Sequence, residues 1–322
     1  MRPFPPRRLD PKVPVPRTRF ALVAALATAV AGCASAPASR APVQVSFAKR
    51  DARIGTYTST PWGFDTSSYW IEGKDGLVLV DTQFLLSATT EFVDLAERTT
   101  GKKAKLAIVL HPNPDKFNGV GLLKARGVRV VTSAQVLSHI PEVHAQRVRA
   151  FYDRYAPDYP KDVTLPESFG SSTTTMDVEG LHLVLHVLGG PGCSEAHVAL
   201  EFDGHLFAGD LVANDVHSWL ELGHSDAWTK RIDELLALKP AFVHPGRGPS
   251  GTGGLLVAQK AYLTKVGAIV AEEKPTLPIT EAAKAKVKAR IVEAFPGYEY
   301  DVFLDIGLGA EMERQAKSAA GR

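Results

Sequence analysis

From Ala104 to Leu110 the chain is apolar at every position but Lys105, and then turns abruptly into the polar loop His111-Pro112-Asn113-Pro114-Asp115-Lys116-Phe117-Asn118-Gly119. A run this short and this apolar, bounded by turn residues, suits a strand buried on both faces better than a helix. Such a strand needs a sheet with other layers packed over it, so the chain is directed towards a layered α/β architecture.

The flanking pattern agrees. Val43 to Phe47, Arg53 to Ser59, Ser67 to Glu72 and Leu77 to Val80 read as strands, the last two joined by the turn Gly73-Lys74-Asp75-Gly76. Hairpins of this kind imply a mixed sheet. Ser87 is expected to cap a helix running to about Thr99, with Phe92, Leu95 and Ala96 facing inward. After the polar loop come a short helix and the strand Val128 to Thr132; Ala134 to Tyr155 reads as a helix broken near Pro141, and Ala156 to Gly170 as a polar loop. Strands return at Leu181 to Val187, Val198 to Phe202 and His205 to Ala208, followed by a helix from Asp226 to Leu238 behind Ser225 and a last strand at Ala241 to Val243. Two halves, each of strands then helix, predict a four-layer α/β/β/α sandwich over residues 43–252. From Gly253 onward the pattern is helical, including Glu281 to Phe295 and Val302 to Lys317, which makes 253–322 a C-terminal helical extension.

The N-terminus sets the expected compartment. Six Lys or Arg residues precede the apolar run Phe20 to Ala31, which ends in Val30-Ala31-Gly32-Cys33. That run is too short to span a bilayer, which takes roughly 20 residues, and reads as the core of a signal peptide, residues 1–32. The small residues before Cys33 match a bacterial lipobox, in which the cysteine is lipidated and becomes the new N-terminus. Residues 33–42, rich in Ala, Ser and Pro, read as a tether. Ala34 and Ser35 include no acidic retention residue, which favours the outer membrane facing the periplasm. Removal of residues 1–32 takes away six cations and one Asp, moving the formal charge from +2 to −3. A mildly acidic chain without a basic aromatic patch gives no reason to expect nucleic acid as a partner. Cys193 is then the only thiol besides Cys33, so no internal disulfide forms.

Several landmarks occur together: Ser67-Ser68-Tyr69-Trp70-Ile71-Glu72, Gly76-Leu77-Val78-Leu79-Val80-Asp81-Thr82, the strand ending at His111, Gly190-Pro191-Gly192, Phe207-Ala208-Gly209-Asp210, and Val243-His244-Pro245-Gly246. In this order and spacing the chain resembles the metallo-β-lactamase superfamily from about Ser67 to Pro249. The resemblance implies a fold in which an HxHxDH loop, a later His, an Asp and a last His hold two zinc ions that generate a hydroxide nucleophile. Carried over, His111, Asp115 and Asp210 match ligand positions. Asn113 stands where a second His belongs, Lys116 where the loop's last His belongs, Cys193 at the third His and Arg247 at the final one.

These substitutions change the chemistry expected of the site. An Asn amide is a poor zinc ligand, and arginine does not deprotonate to become one. His111, Cys193 and Asp210 leave a single atypically ligated metal conceivable, so zinc is expected at reduced stoichiometry or not at all. The alternatives are plain: His111 as a hydrogen-bonded residue at a strand end, Cys193 as an inert small side chain, or the two as a metal-free nucleophilic dyad with Asp115 nearby. Asp81 is expected to orient the His111 loop. His244, two residues before the closing turn, is a candidate replacement ligand; His217 and His224, with Trp219 and Glu221, are candidates for ligand binding in the loop after Asp210. His182, His186, His197 and His205 lie on or beside strands and read as satisfied sheet histidines. Three functions compete: a non-catalytic member binding a small molecule or protein partner in the old cleft, a hydrolase with one atypical metal, and a metal-free Cys/His hydrolase. The leader carries its own prediction, that Cys33→Ala abolishes acyl labelling and membrane association; normal labelling of the variant contradicts the lipobox reading.

Overall fold

The computed structural model describes residues 45–46 and 51–320, and the leader, Cys33 and the tether lie outside the described residues. The first sheet has seven strands in sequential order: β1 (Val45–Ser46), β2 (Ile54–Thr58), β3 (Ser67–Glu72), β4 (Gly76–Val80), β5 (Lys103–Ile108), β6 (Arg129–Thr132) and β7 (Glu167–Ser168). Neighbours are antiparallel up to β4 and parallel from there on. The switch follows from the connections, because β4 to β5 and β5 to β6 each carry helix while the earlier links are short. Those connections are α1 (Leu86–Thr100) and the pair α2 (Pro114–Phe117) and α3 (Val120–Ala125), and α4 (Ala134–Tyr155) follows β6.

The second sheet runs β13 (Gly251–Thr252), β12 (Phe242–Arg247), β11 (His205–Ala213), β10 (His197–Phe202), β9 (Leu181–Leu188) and β8 (Thr174–Val178) in spatial order. Only β11 and β12 are parallel, as their crossover through α5 (Ser225–Ala237) requires. The fold ends with α6 (Gly254–Glu272), α7 (Glu281–Ala294) and α8 (Val302–Ala320). The two mixed sheets flanked by helices are the expected α/β/β/α sandwich.

Several boundaries differ from the sequence expectation for identifiable reasons. Ser87 is not a cap: α1 starts at Leu86 behind Leu85, and the Ser87 N–H donates instead to Asp158 Oδ1 at 2.7 Å. Helix α4 is continuous through Pro141. Proline removes one backbone donor, but Val136, Ile140, His144 and Tyr155 are all buried along this helix, and that packing carries it across the missing bond. Strand β8 is an outer strand with a half-exposed, polar pattern that gave no apolar signal. Most consequential, β12 extends to Arg247 through Pro245. The β11 and β12 ladder shifts register between Phe207 and Gly209 and again before Ala213, so proline falls where the pairing is already irregular.

Two apolar clusters hold the layers. One joins the first sheet, α1 and α4 to the inward residues of β9 and β10, and the other joins β11 and α5 to α6, α7 and α8. The C-terminal helices therefore share a core with the second sheet through Val266, Ile291, Leu304 and Leu308. Leu308 is 1 % exposed. Leu308→Ala should then cost about 2 to 5 kcal/mol and lower a single cooperative unfolding transition seen by calorimetry; a separate melting step for the helices would show that they fold on their own.

Candidate functional site

The loops after β4 and β5, the turn before β10, the middle of β11 and the end of β12 converge on one cleft. Local bonds fix each loop. Asp81, in the left-handed region at φ 62°, accepts from the Leu110 N–H through Oδ1 at 2.8 Å, which is the orienting role expected of it. The Thr82 N–H donates to Lys116 O at 3.1 Å, and the Gly119 N–H donates to Thr82 Oγ1 at 3.1 Å. Tyr69 reaches across from the first sheet and donates to Pro245 O at 2.7 Å, pinning β12 two residues before Arg247. Gly246 must lack a side chain, since a Cβ there would lie 1.9 Å from Asp210 Oδ1.

At the floor of the cleft Asp115 and Asp210 are held by two cations. Lys116 Nζ lies 3.0 Å from Asp115 Oδ2 and 2.9 Å from Asp210 Oδ1, with Asp81 Oδ2 at 3.9 Å. Its side chain is wholly buried. The Arg247 fork divides between the same carboxylates, Nη1 to Asp210 Oδ2 at 2.5 Å and Nη2 to Asp115 Oδ2 at 2.9 Å, while Nε donates to Phe64 O at 3.1 Å. Phe303 of α8 covers the guanidinium, its ring centroid 5.2 Å from Cζ.

The electrostatics follow from these distances. Burial alone would raise the Asp210 pKa, but Arg247, Lys116 and His111 outweigh it and hold the carboxyl well below its usual range. Burial alone would lower Lys116, and Asp115, Asp210 and Asp81 together push it up, so it stays charged. Asp81 is raised to about 7, chiefly by burial, with Lys116 opposing.

Beside this cluster, His111 Nδ1 is 3.0 Å from Ser194 Oγ, while its Nε2 has no hydrogen-bond partner and lies 3.7 Å from Asp210 Oδ2. Burial lowers the His111 pKa to about 4, so the ring is neutral at pH 7. Cys193 is buried, and its thiol is pushed well up, first by burial and then by Asp210. Burial and Asp210 both work against a thiolate at Cys193, and His111 Nδ1 bonds Ser194 Oγ, so neither observation favours the Cys/His dyad. His197 was expected to be an ordinary sheet histidine. It instead joins His111 and Cys193 in a buried group whose potential ligand atoms all lie within 4.8 Å of one another. The signal available was its position four residues after Cys193, at the head of a strand whose preceding turn packs on the His111 loop.

The other histidine candidates do not reach the cleft. His244 stacks on Phe207 and lies 3.0 Å from both His205 Nδ1 and Ser250 Oγ. His217 is buried against Tyr262 and Tyr298. His224 is the N-cap position of α5. Trp219 does line the cleft and donates to Glu221 Oε2 at 2.9 Å. Sequence reasoning missed most of the wall: Phe64, Phe84, Phe151 and Phe303, with Arg147, line a narrow cavity of about 30 Å³ that also includes Asn113, Asp115, Asp210 and Arg247. Arg147 is paired in two bonds with Glu221 and sits over Trp219, 5.5 Å from the ring centroid.

The metallo-beta-lactamase superfamily profile matches residues 61–247. The chain belongs to that superfamily. Solved structures agree on the fold. A metallo-beta-lactamase from Pontibacter korlensis is 22 % identical with a TM-score of 0.55, covering 70 % of this chain and 99 % of its own. One from Hirschia baltica is 21 % identical at 0.52, covering 70 % and 98 %. FIM-1 from Pseudomonas aeruginosa, solved in a mono-zinc form, is 18 % identical at 0.55, covering 71 % and 97 %. A search of curated proteins found no match. The profile ends at Arg247, so α6, α7 and α8, and with them Phe303 over the guanidinium, lie beyond the matched region.

A metallo-β-lactamase fold with this floor makes a thermodynamic prediction. Removing one partner of a buried ion pair costs about 3 to 5 kcal/mol, so Arg247→Ala should lower the melting temperature markedly, and adding Asp210→Ala should recover part of the loss. Two effects that merely add in a double-mutant cycle, or a single variant that melts like wild type, would show that the cluster does not hold the floor.

Proposed function

We propose that this protein is a lipid-anchored member of the metallo-β-lactamase superfamily, carried on the bacterial envelope at the outer membrane, whose cleft binds a small molecule and does not perform two-zinc hydrolysis. The observation that carries this reading is the placement of Lys116 Nζ and the Arg247 guanidinium between Asp115 and Asp210. Zinc takes imidazole nitrogen, thiolate or carboxylate. The resemblance places two of its ligand histidines where this chain has a protonated amine and a guanidinium, and a third where it has the neutral amide of Asn113. A dication between Asp115 and Asp210 would have to displace the Lys116 ammonium and the Arg247 guanidinium, which already occupy the facing carboxylate oxygens. The donor set does not fit a pair of zinc ions, and no hydroxide-generating step is derived for it.

What the cleft keeps is a recognition surface. Aromatic walls with a few fixed polar groups suit a small, largely apolar ligand bearing one or two hydrogen-bonding groups, which enters only as those walls part, because the cavity itself has room for about 30 Å³. Asn113 and Arg147 line the cleft outside the floor cluster, Arg147 already paired with Glu221. A protein partner is the other occupant that such a surface accepts. The reading in which one atypically held ion drives hydrolysis is favoured by the grouping of His111, Cys193 and His197 alone, and that grouping lies outside the two-carboxylate floor.

The test is metal analysis of the mature protein after equilibration with excess zinc and gel filtration, paired with an Asp210→Asn variant. The reading predicts no zinc that depends on Asp210, and saturable quenching of Trp219 fluorescence by small aromatic compounds that is lost in Phe303→Ala. Two equivalents of zinc in the wild type, both lost in Asp210→Asn, would overturn it.

A further inference from the structure

We infer that His111, Cys193 and His197 form a site for one soft univalent cation, Cu(I), behind the cleft floor. Three side chains of metal-ligating type bring one donor atom each to within 4.8 Å of one another, and all three are buried. They come from separate places: His111 follows β5, Cys193 lies in the turn before β10, and His197 is the first residue of β10. An independent sign of a ligand is His111 Nε2, a nitrogen on a side chain 1 % exposed that has no hydrogen-bond partner. A buried polar atom left so is costly and calls for an explanation.

Ser194 touches both rings. Its Oγ is 3.0 Å from His111 Nδ1, while its backbone N–H donates to His197 Nε2 at 3.2 Å with its carbonyl oxygen 3.0 Å from the same nitrogen. With the His111 Nδ1–H donated to Ser194 Oγ, Nε2 is left unprotonated, the arrangement by which outer groups orient metal-bound histidines.

Charge and softness select the ion. Two imidazoles and one thiolate favour a soft d¹⁰ ion in three-coordinate geometry. Asp210 Oδ2 is 3.7 Å from His111 Nε2, but that carboxylate already answers Arg247 and Lys116. Cu(I) with one thiolate is neutral, which suits a place beside a floor whose cations and carboxylates already pair with one another. Binding exchanges the thiol proton for the metal, which releases one proton to solvent and changes no oxidation state. The site shares His111 and Cys193 with ligand positions of the family's zinc pair, and differs from it in taking His197 and in leaving Asp115 and Asp210 to Lys116 and Arg247.

The mature protein should be titrated with Cu(I) under reducing, anaerobic conditions against a chromogenic Cu(I) chelator. One equivalent per chain, accompanied by a near-ultraviolet thiolate-to-copper absorption band in the wild type, is expected. His197→Gln and Cys193→Ser should each weaken binding by on the order of 100-fold, with folding checked by circular dichroism, while Asp210→Asn should change it by less than about 3-fold. No competition with the chelator, or a titration without the absorption band, would overturn the proposal without reliance on any variant. So would Zn(II) binding at this site as tightly as Cu(I), or affinity that falls in Asp210→Asn and survives in His197→Gln.

Discussion

Two buried carboxylates, Asp115 and Asp210, share the floor of the cleft, and every other feature there answers the need to neutralise them. Like charges at such range repel by several kcal/mol even when the surroundings are polarisable. In this chain the neutralising charge is covalently part of the protein. Lys116 bridges the pair from the first-sheet loop, and Arg247 spans it from the end of β12. Arginine suits the second task because its planar fork satisfies both carboxylates while keeping a third donor for Phe64 O.

The backbone is shaped to deliver those cations. Strand β12 reaches Arg247 only because its pairing with β11 is irregular around Gly209, and Gly246 is bare because Asp210 fills the space where its side chain would be. Helix α8 then lays Phe303 over the guanidinium, and Tyr300 donates to Asp65 Oδ2 at 2.7 Å beside it. Helix α8 thus supplies one wall of the cleft. The apolar cluster that the C-terminal helices share with the second sheet couples that wall to the stability of the domain.

Much of this was legible in the chain. The buried strand before His111, the hairpin at Gly73 to Gly76 and the residues at the ligand positions marked the fold and the floor, because each is local in sequence. That Lys116 and Arg247 are cations at aligned ligand positions was legible, whereas the contact of each with both carboxylates came from the fold. The walls were not legible. Phe64, Arg147, Phe151 and Phe303 are far apart in sequence, and nothing local distinguishes them from core aromatics or a surface arginine. Helix α4 was read as broken at Pro141 because local propensity counts the lost hydrogen bond and not the packing of Ile140 and His144 on either side. His197 was read as an ordinary strand histidine because its neighbours in space, His111 and Cys193, depend on how one loop seats against another.

The central claim is that fixed cations, not metal, neutralise the floor. Crystals of the mature protein equilibrated with zinc and measured on both sides of the zinc absorption edge test it directly. The account predicts no anomalous peak between Asp115 and Asp210, with the Arg247 guanidinium and Lys116 ammonium in contact with both carboxylates. A zinc peak within coordinating distance of those two aspartates, with Arg247 displaced into the cleft, would contradict it.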